Sequence, residues 1–137
     1  MGLKTFIVED NATIRENLTA TLEELACIEP VGSAENEKDA KNWLTRADNA
    51  WDLAIVDLFL RQGTGLGVIT ACQNRRVDQK VVVLTNYATP EVRSRCAELG
   101  VDAVFDKSNE IDALLEMCLR LGERLGPGSA PGSGSPQ

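Results

Sequence analysis

The chain has 137 residues and a formal net charge of −7, and 43% of its residues are hydrophobic. This length suits one domain, and this hydrophobic fraction allows a packed core. The 14 basic residues are scattered rather than clustered. Nucleic acids and anionic membrane surfaces call for a basic stripe, so neither is an expected partner.

Cysteine usage and hydropathy indicate the compartment. No apolar run approaches the roughly 20 residues that span a bilayer, and the N-terminus enters a strand-like run rather than a signal peptide. A cytoplasmic protein is therefore expected. Cys27, Cys72, Cys96 and Cys118 lie far apart, which favours reduced thiols. Because the chain has no histidine, a zinc site is not expected.

The first strand and helix are clearly marked. Leu3 to Val8 is typical of a buried strand. Asn11 is a good N-cap for the first helix. The apolar residues that share one face of this helix are Ile14, Leu18, Leu22 and Leu25.

The second strand is predicted from Ile28 to Ala34. Its Pro30 cannot donate to a ladder, so we expect this strand at the edge of the sheet. A second helix should follow from Asn36. The side chains predicted to face inward from it are Ala40, Trp43, Leu44 and Ala47.

The middle of the chain holds two strands around a glycine-rich loop. The third strand, Leu53 to Val56, ends on Asp57. The loop 63–67 then leads into a third helix that should continue to about Asn74. The fourth strand, Val81 to Leu84, is the most β-prone run and ends on Thr85.

The last part of the chain repeats the pattern. Thr89-Pro90 predicts an N-cap followed by proline at the first helical position, with Val92, Cys96 and Leu99 at helical spacing. A short strand, 103–105, precedes Asp106-Lys107. Ser108 is predicted to open the last helix, with Glu110 and Asp112 in its first turn.

Five strand–helix units in succession predict an α/β domain with a parallel sheet and helices on both faces. We expect this domain to span residues 1–125. Residues 126–137 are Gly, Pro, Ser, Ala and Gln only, and should form a disordered tail. That tail is a natural extension, a linker or an appended segment.

Polar side chains follow four of the strands. Glu9 and Asp10 come after the first, Asp57 after the third, Thr85 ends the fourth, and Lys107 comes after the fifth. Right-handed crossovers place all these strand ends on one edge, where ligand sites of such sheets lie. Each residue alone could be a turn, a helix cap or a surface side chain, but the combination favours a site.

The grouping points to phosphoryl transfer. Clustered carboxylates repel one another unless a cation lies among them, and oxygen ligands suit Mg²⁺. A lysine can pair with a carboxylate or a phosphoryl group, and a threonine can donate to a phosphoryl oxygen. Asp57 is then the expected nucleophile, because a carboxylate can form an aspartyl phosphate.

From about residue 3 to 125, the chain resembles the receiver domain of bacterial two-component response regulators. The family's features match the acidic pair Glu9-Asp10, the phosphoacceptor Asp57, the loop glycine Gly65, the hydroxyl residue Thr85 and the lysine Lys107. The resemblance implies a flavodoxin-like fold with strand order 2-1-3-4-5. It also implies that the backbone carbonyl of Phe59 joins the three carboxylates as a ligand of Mg²⁺.

Three positions depart from the family pattern. Ser108 and Arg61 stand where the family usually has proline. Val104 stands where it has an aromatic switch residue, and Phe105 should point to the opposite face of the strand. The usual coupling of the threonine to a rotating ring is therefore left open, whereas phosphorylation is expected.

The expected function is that of a single-domain response regulator. A sensor histidine kinase or a histidine phosphotransfer protein would phosphorylate Asp57, since the chain has no histidine of its own. The chain would catalyse only its own phosphorylation and dephosphorylation, and would act through a downstream protein, a homodimer or as a phosphate sink. The alternatives are a small Mg²⁺-dependent phosphatase or phosphotransferase, and a degenerate receiver that only binds proteins.

The last helix carries more apolar residues than one sheet face should require, namely Ile111, Leu114, Leu115, Cys118, Leu119, Leu121 and Leu125. Two interpretations are open. All of these side chains belong to the core, or some of them form an interface for a second copy or a partner.

Overall fold

The computed structural model describes residues 2–125, without the side chains of the last two. The predicted tail, 126–137, lies outside the described residues. The elements are β1 (Leu3–Val8), α1 (Ala12–Ala26), β2 (Ile28–Ala34), α2 (Glu37–Leu44), β3 (Leu53–Val56), α3 (Gly65–Ala71), β4 (Lys80–Thr85), α4 (Pro90–Glu98), β5 (Ala103–Asp106) and α5 (Ile111–Leu125).

The strands form one parallel sheet in the order β2-β1-β3-β4-β5, which confirms the predicted flavodoxin-like arrangement. As predicted, β2 lies at an edge. Its pairing with β1 shifts register between Thr5 and Phe6, opposite Pro30 and Gly32. Proline has no N–H to give to the ladder, which explains why the irregularity falls there.

Two cores lie on opposite faces of the sheet. One packs α2, α3 and α4 against side chains such as Phe6, Val56 and Val83. The other packs α1 and α5 against neighbours such as Ile7 and Ile55. Since side chains alternate along a strand, near-continuous apolar strands are what a sheet covered on both faces requires.

The side chains of Val104 and Phe105 in β5 point to opposite faces of the sheet. Val104 packs against the core under α2, α3 and α4, whereas Phe105 belongs to the core under α1 and α5. The prediction that the two side chains point to opposite faces is confirmed.

Helix starts were predicted well where a side chain caps the first turn. Asn11 Oδ1 accepts from the amide of Ile14 at 3.0 Å, and Thr89 Oγ1 accepts from the amide of Val92 at 3.2 Å. Pro90 is the first residue of α4, as expected. These caps satisfy amides that have no partner inside the helix.

The predicted apolar faces of α1 and α2 need correction. In α1, Leu18 and Leu22 are buried, but Ile14 and Leu25 are 40% and 55% exposed. Ile14 lies in the first turn, at the edge where the strands end, and Ala26 takes the buried position expected for Leu25. Ala47 is exposed and follows the end of α2.

The bounds of α3 and α5 also differ from prediction. Helix α3 ends at Ala71 rather than Asn74, because the amide of Cys72 already bonds to two carbonyls in a tightened last turn. Helix α5 begins at Ile111 rather than at Ser108. The amide of Ser108 bonds to Asp106 Oδ1 at 2.7 Å, and this local turn holds residues 107–109 outside the helix.

All four cysteines are free thiols. Cys72, Cys96 and Cys118 are buried in the cores, and Cys27 is exposed at the end of α1. Burial raises the pKa of the Cys72 thiol to about 11, so this thiol stays protonated at neutral pH. Within residues 2–125, no helix has the length and apolar character needed to cross a membrane.

Candidate functional site

The site begins with two acids after β1. Glu9 is only 3% exposed, and its Oε2 accepts from the amide of Asn11 at 3.1 Å. Asp10 is less buried, and its Oδ2 accepts from the amide of Arg61 at 2.8 Å. The two neighbouring carboxylates are therefore held by main-chain donors from different segments.

Asp57 follows β3 and is 8% exposed. Its amide donates to the carbonyl of Val8 at 3.0 Å, which extends the pairing of β3 with β1 by one residue. The amide of Phe59 donates to Asp57 Oδ1 at 3.3 Å. The backbone therefore fixes the Asp57 side chain at the strand end.

Gly65 allows the loop after Asp57 to turn back on itself. The amide of Gly65 donates to the carbonyl of Leu58 at 3.0 Å. A Cβ atom at this position would collide with the carbonyl oxygen of Asp57. Only glycine permits so close an approach, which gives a physical reason for the glycine singled out in the sequence.

Lys107 contacts the acid after β1 and the acid after β3. Its amide donates to the carbonyl of Thr85 at 2.9 Å, so β4 fixes its position. Its Nζ lies 2.6 Å from Glu9 Oε1 and 3.1 Å from Asp57 Oδ2. One ammonium group therefore neutralises part of the charge of two carboxylates.

Burial and pairing compete in setting the pKa values here. For Lys107 burial alone would lower the pKa, but the hydrogen bond that its ammonium donates to Glu9 and the negative charge of Asp57 outweigh burial and raise the pKa. For Glu9 burial raises the pKa, and Lys107 and the Asn11 amide offset only part of this effect. The ammonium is thus well stabilised, whereas the Glu9 carboxylate still favours a further positive charge.

The three acids form a group that fits a metal ion. One carboxylate oxygen each from Glu9, Asp10 and Asp57 lies within 4.8 Å of the others. An all-oxygen set of this kind suits hard cations such as Mg²⁺ and Ca²⁺. The amide of Phe59 donates a hydrogen bond to Asp57, one of these three acids. That the carbonyl of Phe59 is a further ligand of the metal ion stays a prediction.

Thr85 ends β4 and is fully buried. Its hydroxyl accepts from the amide of Tyr87 at 3.1 Å, and its carbonyl accepts from Lys107. The structure thus brings the carboxylates and the lysine predicted from the sequence into one cluster, with Thr85 tied to that cluster through the main chain. The chemical role of each residue stays a prediction.

Arg15 also belongs to the site, although the sequence does not mark it. Its guanidinium donates to the carbonyl of Glu9 at 2.8 Å and to Glu35 at 3.2 Å, so it braces the acidic pair from α1. No local signal marks it, since an arginine one turn into an amphipathic helix normally faces solvent.

Comparison with known proteins agrees with the geometry. The response regulator receiver domain profile matches residues 5–119. The acid tolerance regulatory protein ActR of Rhizobium meliloti is 35% identical over 79 residues, which are 57% of this chain and 41% of ActR. The response regulator protein PilR of Pseudomonas aeruginosa is 29% identical over 114 residues, which are 83% of this chain and 25% of PilR. The chain spans less than half the length of these curated relatives.

Solved structures share the fold. The receiver domain of Francisella response regulator 1452 gives a TM-score of 0.77 at 19% identity, covering 90% of this chain and 99% of that one. The signal receiver domain of a Colwellia psychrerythraea response regulator gives 0.76 at 23% identity, covering 87% and 97%. Because the receiver profile spans nearly the whole described region, the chain belongs to the response regulator receiver family.

Proposed function

We propose that this receiver accepts a phosphoryl group on Asp57 and serves as a signalling switch. The observation that supports this most is the position of the Asp57 carboxylate. It is almost buried at a strand end, 3.1 Å from the Lys107 ammonium and within 4.8 Å of the acidic pair. The donor would be a sensor histidine kinase or a histidine phosphotransfer protein, the partners that receiver domains have.

The proposed reaction is a transfer between two side chains. A carboxylate oxygen of Asp57 forms a bond to phosphorus as the donor's P–N bond breaks, and the bonding electrons leave with the imidazole nitrogen. Lys107 would balance the charge of the phosphoryl oxygens, and the Thr85 hydroxyl would donate to one of them. The chain would thus catalyse only its own phosphorylation and dephosphorylation.

We infer that Mg²⁺ is the cofactor, held by the carboxylates of Glu9, Asp10 and Asp57 and the backbone carbonyl of Phe59. When bound, the ion would neutralise charge on the phosphoryl group during transfer. The donor set supports this choice, because Mg²⁺ prefers oxygen ligands and is commonly bound by few carboxylates together with phosphate oxygens.

Acetyl phosphate tests the proposal without a kinase. With Mg²⁺, the protein should gain one phosphoryl group that hydroxylamine removes, as intact mass would show. Asp57→Asn should gain none. Asp10→Ala should bind Mg²⁺ about 10-fold more weakly in a calorimetric titration, equivalent to roughly 1.4 kcal/mol.

The same assay separates the alternatives. A phosphatase or phosphotransferase would turn over many equivalents of a phosphorylated substrate, and a degenerate receiver would gain no phosphoryl group at all. Undiminished labelling of Asp57→Asn would show that another residue accepts the group, and unchanged Mg²⁺ affinity of Asp10→Ala would contradict the proposed metal site.

We also propose that the protein works in the cytoplasm, where the ATP that phosphorylates a histidine kinase is found. It would act by contact with a downstream protein or a second copy. Neither a nucleic acid nor a membrane is a proposed partner.

A further inference from the structure

Glu37, the first residue of α2, contacts the loop that follows Asp57. Its amide donates to the carbonyl of Gln62 at 3.2 Å. Its side-chain Oε1 accepts from the amide of Thr64 at 2.9 Å. Helix α2 therefore holds the far end of the loop 58–64 through a main-chain and a side-chain hydrogen bond.

Two glycines leave room for the Glu37 side chain. A Cβ atom at Gly67 would collide with the Glu37 carboxylate, and one at Gly63 would collide with Glu37 Cβ. Gly63 also has a positive φ of 81°, which other residues rarely adopt. This close packing explains why a short helix such as α3 tolerates a glycine in its first turn.

The Glu37 carboxylate is charged at neutral pH. The Thr64 amide, and then Lys41 at 3.2 Å, hold the pKa of Glu37 below its usual value. A charged acceptor makes a stronger hydrogen bond to an amide than a neutral one does. The contact with Thr64 is therefore of the stronger kind.

The near end of the same loop forms part of the phosphorylation site. The amide of Phe59 donates to Asp57, and the amide of Arg61 donates to Asp10. The loop is thus fixed to the acidic group at one end and to Glu37 at the other. Its geometry at the site depends on both attachments.

We propose that Glu37 is a positioning residue for the phosphorylation of Asp57. It holds the loop 58–64 so that the backbone groups of Phe59 and Arg61 meet Asp57 and Asp10. This inference rests on the proposed function, because it concerns the same reaction.

The first test replaces the carboxylate. Glu37→Ala should slow labelling by acetyl phosphate about 10-fold and weaken Mg²⁺ binding in parallel, as changes beside metal ligands commonly do. Glu37→Gln should reduce the labelling rate and the Mg²⁺ affinity less, since its amide oxygen can still accept from Thr64. Asp39→Ala is the matched control, because Asp39 lies in the same first turn but pairs with Asn36.

The second test displaces the carboxylate without replacing it. In Gly67→Ala, the new methyl group should push the Glu37 carboxylate away from Thr64, so labelling should slow. Alanine favours a helix more than glycine does, and this gain offsets part of the stability lost with the hydrogen bond to Thr64, so the thermal midpoint should fall less than in Glu37→Ala. If the role of Glu37 were merely structural, labelling would also slow less in Gly67→Ala, in step with the smaller loss of stability.

The double variant Glu37→Ala/Gly67→Ala completes the comparison. With the carboxylate already gone, Gly67→Ala should slow labelling no further. An equal additional loss in that background would overturn the inference. So would wild-type labelling and Mg²⁺ affinity in Glu37→Ala, with the proposed function left intact. A wild-type protein that takes up no phosphoryl group would overturn both.

Discussion

Lys107 is the residue on which the charge balance of the site depends. It contacts Glu9 and Asp57 at hydrogen-bond distance, and its side chain is only 13% exposed. Three clustered carboxylates with one ammonium leave a net negative site. Such a site attracts a divalent cation, and it costs folding energy until one binds.

Two aromatic rings lie beside this charged group. Phe59 and Tyr87 are 56% and 59% exposed, and their ring centroids are 5.0 Å apart in an edge-to-face arrangement. The amide of Phe59 bonds to Asp57 and that of Tyr87 to Thr85. The ring pair therefore joins the loops after β3 and β4 at the residues that would hold the phosphoryl group.

We expect this ring pair to slow the loss of the phosphoryl group by limiting the approach of water. Phe59→Asn keeps the amide but removes the ring, so it should shorten the half-life of the aspartyl phosphate several-fold. Tyr87→Phe, which keeps both rings, is the control. The decay is followed by intact mass after acetyl phosphate is removed, and equal half-lives would contradict the expectation.

The site residues that follow the ends of strands could be predicted from the sequence. Glu9, Asp57 and Lys107 meet because parallel strands end at one edge of the sheet. Arg15 and Glu37 reach the site or its loop from helices. Their contacts depend on side-chain direction and loop path, which hydrophobic periodicity does not report.

Arg93 joins several elements at the β5 edge of the sheet. From α4 its guanidinium donates to the carbonyl of Ala88 at 3.1 Å, to the carbonyl of Val104 at 3.0 Å and to Glu110 at 2.7 Å. The Glu110 carboxylate also accepts from the amide of Asp106. The carbonyl that Arg93 satisfies at the sheet edge belongs to Val104, the position where the family usually has an aromatic residue.

This pairing predicts a pH dependence of stability. Arg93, and then the Asp106 amide, hold the pKa of Glu110 below its usual 4.5. A carboxylate with a lowered pKa stabilises the fold above its unfolded-state pKa, and the effect is lost as the pH falls through the folded-state value. Glu110→Gln should therefore be less stable than wild type at pH 7, and this difference should shrink below pH 4.5.

Urea unfolding of both proteins at several pH values measures the difference. Comparing the variant with wild type cancels other groups, such as Glu37, that titrate in the same range. A difference that stays constant or grows on acidification would show that the Glu110 charge is not what stabilises this edge. Both side chains are more than a third exposed, so added salt should also reduce the effect.

The strands were predicted more closely than the helices. Leu3–Val8, Ile28–Ala34 and Leu53–Val56 have the bounds read from the sequence. The first and third of these are almost entirely buried and nearly continuous apolar runs, whereas β2 is a largely exposed edge strand. Helix α5 starts three residues later than predicted, because the side chain of Asp106 accepts a hydrogen bond from the amide of Ser108. Such local competition between a side chain and the helix is not visible in apolar spacing.

At the scale of the whole molecule, α5 mostly serves the core. Leu114 and Cys118 are fully buried, and Ile111, Leu115 and Leu121 are partly buried against the same core. The side chain of Leu125 lies outside the described residues. Among the described leucines of α5, Leu119 stands out at 43% exposure. The structure therefore favours the core interpretation for most of this apolar stripe.

The burial of each apolar side chain in α5 determines which substitution can test whether this helix binds a second copy or a partner. Leu121→Glu would place a charge against the core and destabilise the fold, so a loss of binding could not be assigned to an interface. Leu119→Glu changes an exposed side chain, and it should leave stability and labelling of Asp57 intact. If α5 contributes to a phosphorylation-dependent homodimer, Leu119→Glu should weaken that dimer.

Sedimentation with and without acetyl phosphate measures the association. We expect wild type to shift toward a dimer on phosphorylation, because removing an exposed apolar side chain from water favours association. Leu119→Glu should then stay monomeric at the same concentration, and Glu116→Gln, an exposed neighbour on α5, should behave as wild type. A dimer that tolerates Leu119→Glu would place the interface elsewhere. A wild type that is monomeric in both states would leave contact with a different protein, or the phosphate-sink role, as the output.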